Sequence, residues 1–161
     1  MNPPFVIEAL IVARRARRDG AFERVRQCRA EVQAAEATRD AIDQRLQRTL
    51  ALRAHCMARL GGMAEEGVAS AVDYGRAEDH VAMLGARADD IRTELARADH
   101  TVAMARARLD DTIALFLRAQ KRFDAALEQK ARWEKEVEKA ELRAEENIAE
   151  DILVNTHGRR R

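Results

Sequence analysis

Proline is nearly absent from this 161-residue sequence, which has only Pro3 and Pro4. Glycine occurs seven times, and Phe, Tyr and Trp together six times. A β-sandwich or barrel needs frequent turns and many β-branched and aromatic residues, so these counts exclude it. A doubly wound α/β fold needs alternating strands and Gly-rich turns, which are missing as well. With 35% charged residues and so few rings, there is little to fill a round core. An excess of one charge is also lacking. The 29 basic and 28 acidic residues are interspersed, for a net charge of +1. A nucleic-acid binder concentrates Lys and Arg on one face, so no nucleic-acid partner is expected. The two cysteines, Cys28 and Cys56, make neither a metal spacing nor a disulfide framework. On one helix they would stand about 42 Å apart, and they are read as apolar seam positions in a reducing compartment. No long hydrophobic run is present. Residues 5–13 are apolar but are interrupted by Glu8, and no basic residue precedes them. A secretory signal opens with a positive region, and a membrane span takes about 20 residues. The expectation is a cytoplasmic chain with no direct membrane insertion.

What the sequence does have is Ala, Arg, Glu, Leu and Lys, which supply 90 of its 161 residues. That is the composition of a long helix or coiled coil. Pro3 and Pro4 suit a helix start. The one interruption is residues 61–67, with three glycines. Gly61 fits a helix C-cap, and Ser70 with Asp73 fits a weak capping box for a second helix. The expected elements are a helix over about 4–60, a turn over about 61–69, a helix over about 70–155 and a flexible tail at 156–161. Together they form a single coiled-coil domain. Gly20, Gly75 and Gly85 fall inside these helices as local weak points.

A heptad seam runs through the second helix. Stepping by three and four from Val81 gives Leu84, Ala88, Ile91, Leu95, Ala98, Val102, Ala105, Leu109, Thr112, Phe116, Ala119, Phe123, Ala126, Lys130, Trp133, Val137, Ala140, Ala144 and Asn147. Seventeen of these 20 positions are apolar. A strict seven-residue repeat of this length specifies a left-handed coiled coil. A matching seam in the first helix includes Ile7, Ala21, Val25, Val32, Ile42, Leu46 and Thr49, with Arg39 and Arg53 lying along it by their stems. Folding at the glycines pairs Val25 with Leu109, Val32 with Val102, Leu46 with Ala88 and Ile42 with Ile91. The partner numbers add to 133 or 134 throughout. The expected fold is therefore all-α: a long antiparallel two-helix coiled-coil hairpin, monomeric, in which helix 2 overhangs helix 1. The overhang covers about 129–154, roughly 39 Å of helix. It keeps seam residues Trp133, Val137, Ala140 and Ala144 and leads on to Ile148, Ile152 and Leu153. An isolated helix is marginal in water, so this stripe is expected to bury against a partner.

No catalytic constellation is legible, and neither an enzyme nor a bound cofactor is expected. The four histidines are scattered. Adjacent acids at 89–90, 110–111 and 145–146 read as solvated faces. A phosphate loop and the common hydrolase and metalloprotease motifs are missing. A two-helix rod also lacks the concave apolar pocket of an active site. Three features point to binding instead. The first is Arg14, Arg15, Arg17 and Arg18, an electrostatic contact for an acidic surface. The second is segment 134–151, with eight acidic and three basic residues over an unpaired stripe. The third is the turn region, with Leu60, Met63, Val72 and Tyr74.

An apolar-then-arginine N-terminus (Phe5 to Arg18), the turn at Gly61 to Tyr74 and an Ala- and Arg-rich second helix running to Leu153 together resemble the type III secretion stalk proteins, the YscO/FliJ-type family. The resemblance covers nearly the whole chain. It implies a non-catalytic cytoplasmic stalk, like the coiled coil of rotary ATPase gamma subunits, at the cytoplasmic face of a secretion apparatus. Its partners would be the secretion ATPase hexamer, an export-gate protein and export chaperones. The ATPase end would be Phe5, Val6, Leu10, Arg14, Arg15, Arg17, Arg18, Trp133, Val137, Ile148 and Ile152. The gate end would be Met63, Val72 and Tyr74. Two other readings remain open: a secretion chaperone or escort protein that does not touch the ATPase, and a purely structural coiled-coil dimer.

Overall fold

The computed structural model describes residues 4–66 and 70–158, with side chains from 6 to 65 and from 70 to 150. The chain is all-α, with two long helices, α1 (Pro4–Glu66) and α2 (Ala71–Gly158). Among the described residues only Ser70 lies outside them. Ser70 caps α2. Its Oγ accepts from the backbone N–H of Asp73 at 3.2 Å and donates to Asp73 Oδ2 at 2.6 Å. The Asp73 carboxylate also sits at the positive end of the helix dipole.

α1 continues past the expected stop at residue 60. Gly61 and Gly62 are helical and Gly61 is not a C-cap. Two helical glycines cost about 2 kcal/mol relative to Ala. Half-buried Leu60 and Met63 bracket them on the packed side, and Ala64, Glu65 and Glu66 favour continuation. α2 likewise runs to Gly158, beyond the expected 155.

The structure divides into two compact units, Val25–Thr112 and Met1–Arg24 with Ile113–Arg161. In the first unit, Leu46, Ala88 and Ile91 form a buried cluster with Ile42, Leu50 and Leu95 packed against it. Around the cluster, Glu36 pairs with Arg106 (2.5 Å), Arg39 with Asp99 (3.0 Å) and Arg45 with Glu94. Partner numbers fall on α2 as they rise on α1, so these two segments run in opposite directions. The ion pairs add to 138–142, above the 133 or 134 read from the seam. The Cα–Cβ bond leans towards the N-terminus of its own helix. In opposed helices the tips of long side chains therefore meet several residues later in the combined numbering than their Cα atoms do.

Among the described residues, every buried one lies on the heptad seam: Ile7, Ala21, Val25, Val32, Leu46, Thr49, Leu84, Ala88, Ile91, Val102, Phe123 and Ala126. The buried Thr49 hydroxyl is satisfied by the Arg45 carbonyl, 3.0 Å away. Cys28 is half-buried and departs from a purely apolar reading. Its Sγ lies 3.5 Å from Thr112 Oγ1, and Thr112 gives its one hydroxyl proton to the Arg108 carbonyl at 2.7 Å. The thiol is therefore the donor. Arg53 lies along the seam as expected, directly over Gly85. A Cβ at residue 85 would stand 3.4 Å from Arg53 Nε.

Leu46 is 6% exposed at the centre of the cluster. Leu46→Ala is expected to cost about 2–4 kcal/mol, read as a fall in the urea midpoint followed by the helical circular-dichroism signal.

Candidate partner-binding site

The second unit gathers most residues of the expected ATPase end. On α1, Ile7 is buried, Leu10, Arg14 and Arg18 are half-buried, and Val6, Arg15 and Arg17 are exposed. On α2, Phe123 is 5% exposed and Trp133 and Val137 are half-buried. The four arginines do not all project freely. Arg14 Nη1 donates to the Arg122 carbonyl at 2.6 Å. Arg18 donates from Nε and Nη2 to one oxygen of Asp19, at 2.8 and 2.6 Å. The Arg18 guanidinium also lies 4.6 Å from the Phe123 ring centroid, and that of Arg15 lies 5.9 Å from it. Each such cation–π contact is worth about 0.5–1 kcal/mol at a partly exposed site. Nearby, the Phe22 and Phe116 rings are tilted with centroids 5.7 Å apart.

Arg17 is left on the open face. With Leu10, Ala13, Arg14, Ala119 and Arg122 it lines a shallow depression of about 340 Å³. Leu10, Ala13 and Ala119 are its apolar lining, and three arginines are its charged lining. Arg122 is the member that the sequence reading missed. Its number adds to 139 with that of Arg17, within the 138–142 of the crossing ion pairs, whereas seam partners add to 133 or 134.

Further along α2 the stripe loses its cover. Every side chain from 138 to 150 is exposed, including seam positions Ala140, Ala144 and Asn147. Leu142 is 54% and Ile148 60% exposed. The side chains of Phe5, Ile152 and Leu153, and residues 159–161, lie outside the described residues. Lys130 links the two helices with a 3.6 Å pair to Glu8 and also lies 3.7 Å from Glu134.

The turn-end residues fall in the other unit. Met63 joins Cys56, Arg59, Leu60, Asp73, Ala77 and His80 around a depression of about 250 Å³. Val72 and Tyr74 are exposed and do not line it. Arg39, in the same unit, is held above its ordinary pKa, first by its hydrogen bond to Asp99, then by that to Asp40 and by the charge of Asp99.

Among the described residues no group of three or more His, Cys, Asp or Glu is arranged to hold a metal ion. No helix among them is long and apolar enough to cross a membrane. No protein-family model, curated protein or solved structure matches this chain.

The indole Nε1 of Trp133 is buried without a hydrogen-bond partner among the described residues. An unmet buried donor offsets part of what the ring contributes by packing. Trp133→Phe is accordingly expected to change stability by less than about 1 kcal/mol, measured by thermal denaturation.

Proposed function

We propose that this chain is a non-catalytic stalk and adaptor of a type III secretion ATPase complex, joining the ATPase to the export gate and binding export chaperones. The observation that carries the reading is the stretch 138–150 of α2. There seam positions Ala140, Ala144 and Asn147, and Leu142 and Ile148 beside them, are all exposed. A helix with a bare apolar stripe has little stability of its own in water, so the stripe calls for a partner surface. Preceding it in the same unit are half-buried Trp133 and Val137 and the arginines of the N-terminal segment, two of which are anchored by Arg122 and Phe123. Rigid aromatic and arginine side chains beside an uncovered apolar strip are the usual makings of an interface centre. The same texture suits an overhanging helix end that seats in a ring-shaped ATPase, with exposed Val72 and Tyr74 and half-buried Met63 as the residues that would meet the gate.

The test is a pull-down with the cognate purified ATPase, together with ATP turnover in the presence and absence of the chain. Binding is expected, with a change in turnover. Trp133→Ala with Val137→Ala is expected to weaken ATPase binding by about tenfold or more while chaperone binding persists. No binding by the unaltered chain and no effect on turnover would sink the stalk reading. Chaperone binding without ATPase binding would favour the escort reading.

A further inference from the structure

Among the described residues, ion pairs that cross between the helices within their units include Glu8–Lys130, Glu36–Arg106, Arg39–Asp99 and Arg45–Glu94. Arg17 and Arg122 stand at the same kind of position. Their numbers add to 139, within the range of those pairs, and they line one depression. Yet they are like-charged, and Arg14 makes a third cation on the rim. Among the described residues no acid pairs with the guanidinium of Arg17 or Arg122. Like charges facing each other across a helix pair repel, and a carboxylate from outside would relieve that repulsion.

The chain itself carries such carboxylates. Residues 134–151 have a net charge of −5. Glu138, Glu141 and Glu145 follow one another at i, i+3 and i+7, so they form one row beside Val137, Ala140 and Ala144. That row and its stripe are exposed from 138 onwards. The same molecule cannot bring them together. Residue 138 lies sixteen positions beyond Arg122 on one continuous helix, about 24 Å away.

We propose that two copies of this chain associate reciprocally, the acidic row of each seating on the Leu10–Arg17–Arg122 groove of the other. Glu138, Glu141 and Glu145 bridge the paired guanidiniums, while Val137, Ala140 and Ala144 cover the apolar floor of Leu10, Ala13 and Ala119. Two acidic rows pairing with each other would bring like charges together, so charge favours the groove over a tail-to-tail contact. The patch is small, so the dimer is weak, with a Kd of about 10–100 µM. It uses residues assigned above to the ATPase, and on that reading dimer and ATPase complex exclude each other.

Sedimentation equilibrium of the purified chain alone, from low to several hundred micromolar, tests this without reference to the ATPase. Reversible dimerisation is expected, weakening at least about fivefold when NaCl is raised from 20 to 300 mM. Arg17→Glu with Arg122→Glu is expected to abolish it. Adding Glu138→Arg, Glu141→Arg and Glu145→Arg to that variant should restore it. Circular dichroism of each variant establishes that its helices are intact, and mixing the groove variant with the tail variant should give a heterodimer even if one of them is less stable. A chain that stays monomeric throughout, or a dimer that ignores reversal of the groove, overturns the proposal.

Discussion

A two-helix chain has one place to hide apolar surface, the seam where the helices face each other, and every other stability term here is secondary to filling it. All of the buried residues described lie on that seam. Alanine recurs along one of its rows, at 98, 105, 119 and 126, and lets backbones approach closely where Leu or Phe would hold them apart. The crossing ion pairs are largely exposed, and solvent screening keeps the contribution of each small. Their effect is on register. A slip of either helix would set Arg39 or Arg45 against the wrong partner, so the ladder selects one alignment of a seam that alanine leaves permissive.

The seam was fully legible in the sequence because a seven-residue repeat is a local signal. Each step from Val81 to Val137 falls on a residue that is buried or half-buried. Helix ends were less legible. Gly61 and Gly62 have the composition of a stop, but Leu60 and Met63 on the packed face keep the helix going. Long side chains were the hardest to place. Seam arithmetic gives the alignment of Cα atoms, whereas Arg and Glu act at their tips, displaced towards each helix's own N-terminus. Seam spacing gives neither the hydrogen bond from Arg14 to the Arg122 carbonyl nor the depression that Arg122 lines with Arg17. Cation–π contacts onto Phe123 were equally hidden, since they depend on rotamers rather than spacing.

The same constraint explains where apolar surface is left uncovered. As long as the seam has a partner helix, its apolar residues are spent on the fold. Beyond Val137 the repeat goes on and the cover does not. That stretch is acidic as well as exposed, so in the proposed contacts a surface that takes it supplies both apolar cover and positive charge.

Hydrogen exchange resolved along α2 tests the central claim most directly, in solution dilute enough to lie well below the dissociation constant of the proposed dimer. Amides around Leu84, Ala88 and Ile91 should exchange slowest, and protection should fall steeply after Val137, leaving 138–150 among the fastest-exchanging parts of the helix. Protection of 138–150 equal to that of the Leu46–Ala88–Ile91 cluster in the dilute free chain would contradict the account.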